Sequence, residues 1–90
     1  MDFVCEAVFI SNFKLHSRES ISVRGKTFTV FFEESAGLYR AQAKVKWKNP
    51  SMADVPFLVT GFKDIEGLRK QVVMELERLL RGGEIQAPGY

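Results

Sequence analysis

Between Leu38 and Lys48 the chain alternates strictly, and this pattern constrains the fold more than any other feature. Tyr39, Ala41, Ala43, Val45 and Trp47 fall on one side, and Arg40, Gln42, Lys44, Lys46 and Lys48 on the other. Successive side chains of a β-strand point to opposite faces. The segment therefore reads as one strand with a buried apolar face and an exposed basic one.

The flanking sequence supplies strands to pair with it. Ile21 and Val23 alternate with Ser22 and Arg24, and after Gly25-Lys26 the chain alternates again through Thr27, Phe28, Thr29, Val30 and Phe32. A two-residue loop with glycine first predicts a type II′ hairpin, which needs positive φ at Gly25. That hairpin pairs Arg24 with Thr27, Val23 with Phe28, Ser22 with Thr29 and Ile21 with Val30. A second turn over Glu34-Ser35-Ala36-Gly37 sets Phe32 against Tyr39, Val30 against Ala41 and Phe28 against Ala43, with Phe31 beside Arg40. Both turns agree on which face is inside, and a one-residue slip in either would exchange the faces.

Upstream, Phe3, Cys5, Ala7 and Phe9 alternate with Val4, Val8 and Ile10, the pattern of a strand covered on both sides. Phe13 and Leu15 keep its parity, and His16 to Ser20 reads as a polar turn. Asn49 to Asp54 reads as a loop, and Val55 to Phe62 as a short strand whose Pro56 suits an edge or a strand start.

From about Asp64 to Arg81 the period changes to that of a helix. Ile65, Leu68, Val72, Leu76 and Leu79 form one stripe, Asp64 is placed to cap the N-terminus, and Gly82-Gly83 supplies a left-handed stop. Glu66 with Lys70 and Glu77 with Arg81 are i,i+4 pairs. The sum is an α+β fold: a mainly antiparallel meander of four to five strands with one long C-terminal helix packed on one face. Residues 1–83 make a single domain, and 84–90, with Pro88-Gly89, read as a flexible tail.

Composition narrows the function classes. An apolar share of 46% with 27% charged residues is that of a globular chain. No apolar run approaches the roughly 20 residues of a membrane span, the first residues lack a cationic signal region, and one cysteine suits a reducing cytoplasm. Cys5 and His16 each stand alone, without the further ligands a metal needs or the base a nucleophile needs. Glu33 and Glu34 point to opposite faces. Gly25-Lys26-Thr27 lacks the first glycine of a phosphate loop. The expectation is a non-catalytic domain without cofactor, metal or evident small-molecule substrate.

The net charge is only +2, yet between Lys14 and Lys48 eight Lys or Arg stand against three Glu. The face gathering Arg24, Phe31, Arg40, Gln42, Lys44, Lys46 and Lys48 is the candidate binding surface. Cations two residues apart on a strand are about 6.6–7 Å apart, close to the phosphate repeat of a single nucleic-acid strand, and Phe31 offers a face for stacking a base. An acidic protein surface would meet the same charges, and a merely solvated face would carry them too. Met74, on the helix side away from the stripe, marks a candidate protein interface. A homodimer through a sheet edge or the helix surface is the alternative. Trp47 reads as a packing residue whose N–H finds a carbonyl.

The order of elements, a strand meander closed by a C-terminal helix, resembles the repeat of Pur-type single-strand nucleic-acid-binding proteins. Gly25-Lys26-Thr27-Phe28-Thr29-Val30-Phe31-Phe32, followed by Gly37-Leu38-Tyr39, is similar in texture to that module, and the likeness spans roughly Arg24 to Leu80. The extra N-terminal strand, the near-neutral total charge and the scarcity of exposed aromatics depart from it. The resemblance implies binding of single-stranded nucleic acid.

Overall fold

The computed structural model describes residues 13–88 of the 90-residue chain. The strand expected over Phe3 to Ile10 lies outside the described residues, as does Cys5. Four strands form the main antiparallel sheet: β1 (Lys14–Val23), β2 (Lys26–Ser35), β3 (Leu38–Ala43) and β5 (Phe57–Phe62), side by side in that order. Two short strands, β4 (Val45–Trp47) and β6 (Ile85–Pro88), pair as a second sheet. One helix, α1 (Ile65–Arg81), packs on one face of the main sheet. This is the α+β architecture that the alternation and the helical stripe predict.

The core lies between the sheet and that helix. Phe28, Val30, Phe32 and Ala41 from the sheet meet Leu68, Val72 and Leu76 from the helix, all fully buried. Burying each large apolar side chain contributes about 1.5–3 kcal/mol, so this single layer contact is what holds the helix down. Asp64 caps α1 by accepting from Gly67 N at 3.1 Å. At the other end Gly83 takes φ +74°, and Glu84 N donates to Leu79 O at 2.9 Å, which closes the last turn.

Four details depart from the sequence reading. Both hairpins close on two-residue loops, Arg24-Gly25 and Ala36-Gly37, in which both residues have positive φ. Such mirror-image turns match the twist of the flanking strands better than the expected ones. The pairing slides by two residues in each, so Ile21 faces Phe28, Phe32 faces Ala41 and Phe31 faces Gln42. A two-residue slide keeps every side chain on its face while changing all its neighbours.

His16 to Ser20 is no turn. It continues β1, with a register shift between Leu15 and Ser17 absorbing the extra residue. The long alternating strand breaks at Lys44. Its second half leaves the main sheet to pair with β6, Trp47 opposite Ile85. Finally, residues 84–90 do not begin as a loose tail: Ile85 is 2% exposed and belongs to the core, and Lys48 N donates to Glu84 O at 3.0 Å.

Candidate nucleic-acid interface

The main sheet carries no helix on its outer face among the described residues. Cross-strand pairing lays Arg18, Phe31, Gln42 and Leu58 in one row across all four strands. Beside it run the hydroxyls of Ser20 with Thr29 and of Ser22 with Thr27, the last pair hydrogen-bonded at 3.0 Å. Strand alternation alone places these side chains, because their neighbours in sequence are the buried Val23, Phe28 and Val30.

The seven residues expected to form one basic face divide into groups. Phe31, Gln42 and Lys44 stay together, lining with Ala43 and Pro56 a hollow of about 280 Å³. Phe31 is half-buried and Lys44 exposed. The Gln42 amide nitrogen donates to both oxygens of Glu33 at 3.1 Å, which leaves its carbonyl oxygen to accept from a ligand. Lys46 follows on β4, exposed.

Arg40 is lost to the surface as a free cation. The two-residue slide brings it opposite Glu33, to which its Nε donates, and its guanidinium lies 4.1 Å from the centre of the Phe13 ring. Arg40 and Glu33 are about four-fifths shielded at the side chain, 18% and 17% exposed, so the charge is neutralised locally. Expecting Phe31 beside Arg40 was the consequence of the wrong register.

Arg24 and Lys48 also leave the outer face. Arg24 sits at the hairpin tip and reaches the helix, Nη1 to Glu77 at 3.6 Å. Lys48 lies at the same end of the molecule, where it shares a concavity with Arg24 and Lys26. Two further residues belong with these sites: Arg18, which the register set by the Arg24-Gly25 turn aligns with Phe31, and Lys26, which the tight turn places beside Arg24.

The helix holds its charges differently than its spacing suggests. Glu66 and Glu75 pair with Arg69 and Arg78 at i,i+3, and Glu77 turns to Arg24. Hydrogen bonds from Arg69 hold the Glu19 carboxyl below its usual range, and those from Arg78 do the same for Glu75. Met74 is 61% exposed on the free side of the helix, with Val73 beside it. Trp47 Nε1 donates to Val55 O at 2.7 Å, as its packing role requires. His16 meets Tyr39 edge-to-face, ring centres 5.5 Å apart.

A larger concavity, about 570 Å³, lies elsewhere. It runs between β5 and the helix, walled by Met52, Phe57, Val59 and Phe62 on one side and Glu75 and Leu79 on the other. Among the described residues no three His, Cys, Asp or Glu gather as a metal site, and no helix is long and apolar enough to cross a membrane. No family model, curated protein or solved structure matches this chain.

Proposed function

We propose that this chain is a non-catalytic binding domain that takes single-stranded nucleic acid on the outer face of its sheet. The observation that carries the reading is the hollow where Phe31, Gln42 and Lys44 converge beside Pro56. An aromatic face, a carbonyl acceptor and an ammonium group around one small hollow suit a base and its phosphate. Stacking one base on such a ring is worth about 1–3 kcal/mol. Arg18 extends the positive path along the same row, and the serine and threonine hydroxyls beside it suit phosphate and sugar oxygens.

The test is a titration of a labelled oligothymidine followed by fluorescence anisotropy over a salt series. Binding should weaken with salt by a slope near −0.7 per phosphate neutralised. Phe31→Ala should weaken it about tenfold or more, and Lys44→Ala should flatten the slope by about one phosphate. No binding at low salt, or binding indifferent to both substitutions, removes the reading.

A second reading rests on a separate observation, the contrast between the two edges of the sheet that the described residues form. β1 carries Lys14, Arg18, Glu19 and a bulge, the usual guards of an exposed edge. β5 reads Phe-Leu-Val-Thr-Gly-Phe with no charge at all, and Leu58 is 49% exposed. Asp54 precedes this strand and Lys63 follows it, so antiparallel pairing with a second copy sets acid against base. Light scattering at two concentrations tests for that dimer. Thr60→Lys should abolish it, and a wild-type monomer at the higher concentration excludes it.

A further inference from the structure

We propose that the end of the molecule where Arg24, Lys26 and Lys48 surround one concavity is a binding site for a multiply charged phosphate group. The concavity measures about 370 Å³, within the roughly 300–1,000 Å³ typical of small-molecule sites. Three separate parts of the chain build it. The tight Arg24-Gly25 turn throws Arg24 and Lys26 over the end of the sheet. Lys48 arrives from the end of β4, and the backbone bond from Lys48 N to Glu84 O fixes that strand exit to the chain leaving the helix. Gly83 completes the wall: a Cβ there would lie 3.7 Å from Lys48 Nζ.

Charge at this end is unbalanced. Lys26 and Lys48 make no ion pair or side-chain hydrogen bond with any described residue. Arg24 meets Glu77 at 3.6 Å, but those side chains are 53% and 46% exposed, and ion pairs so open to water are weak and readily exchanged. The carboxylate of Glu84 is turned to Arg78 at 3.8 Å. Three cations therefore face one hollow with one carboxylate among them, and they repel one another until an anion enters. Leu80 and the buried Ile85 form an apolar floor, which lowers the local dielectric and strengthens each contact. A guanidinium fork with two mobile ammonium groups suits the several acceptor oxygens of a phosphate better than a single carboxylate. Gln86 adds a neutral side-chain amide at the rim.

This site does not depend on the strand reading, since none of the residues lining the Phe31 hollow lines it. The probe is inorganic pyrophosphate, titrated into the full-length ¹⁵N-labelled protein at low salt. Saturable shifts are expected at the amides of Lys26, Lys48, Gly83 and Gln86. The Lys26→Ala/Lys48→Ala double variant should raise the dissociation constant by about tenfold or more, while Lys70→Ala, exposed on the helix and outside both hollows, leaves it unchanged. Shifts that never saturate, or that Lys70→Ala reduces as much as the double variant does, overturn the site. Competition by 5′-phosphorylated and 5′-hydroxyl oligonucleotides then assigns the phosphate to a strand end if the phosphorylated form wins, and to a free ester if the two are equal.

Discussion

Arg69 of the helix and Glu19 of β1, fifty residues apart in sequence, meet as a two-pronged ion pair, Nε to Oε1 at 2.9 Å and Nη2 to Oε2 at 2.6 Å. The same guanidinium lies 5.6 Å from the ring centre of the buried Phe32. One arginine thus ties the helix to the edge strand above the core. Because its hydrogen bonds hold the Glu19 carboxyl below its unfolded value, the pair stabilises the fold above the ordinary carboxylate pKa of about 4.3. That contribution is lost as pH falls through the folded value. Glu19→Gln should therefore cost about 1 kcal/mol at neutral pH and little in strong acid, where the carboxyl is protonated in both the folded and unfolded states. Urea denaturation of both proteins at the two pH values checks this.

The two tight turns place L-residues, Arg24 and Ala36, at φ +50° and +52°, where each costs about 1–2 kcal/mol. Asparagine tolerates that conformation. Ala36→Asn should raise stability by about 0.5–1 kcal/mol. Gly37→Ala should lower it by about 1–2 kcal/mol, through the backbone alone, since nothing lies within 4 Å of the added Cβ. Chemical denaturation midpoints decide both.

Ile85 distinguishes a structural β6 from a tail. Its side chain is among the largest that are fully buried, so Ile85→Ala should cost about 2–5 kcal/mol, the range for large core truncations. Gln86→Ala, one residue on and exposed, should be close to neutral. Thermal melts of the two variants make the comparison.

The outer face was legible in the sequence as a face and not as a neighbourhood. Period-two alternation assigns Phe31, Gln42 and Lys44 to one side whatever the register, and the two-residue slide at both turns left that assignment intact. It changed who stands next to whom. Glu33 became the partner of Arg40 and removed a cation from the surface. The turn chemistry misled because arginine and alanine rarely hold positive φ, so glycine alone was credited with it. Alternation also cannot say which sheet a strand joins. Lys46 kept its alternation within β4 while β4 left the main sheet for a partner, β6, too short and too proline-bound to announce itself. The helix was read well because its stripe, cap and glycine stop are all local signals.

Glu33 is also the lever on the proposed binding surface. Removing its charge should free the Arg40 guanidinium and relax the hold on Gln42. Glu33→Gln should then bind an oligothymidine severalfold more tightly, with the salt slope steeper by about 0.7. Unchanged affinity would mean that the strand does not pass over Arg40.

Amide shift perturbation at low salt maps an oligothymidine onto the protein. A contiguous set is expected at Arg18, Phe31, Gln42 and Lys44, saturating with one strand and fading as salt is added. Perturbations confined to the helix surface around Met74, or to the β5 edge, would contradict it.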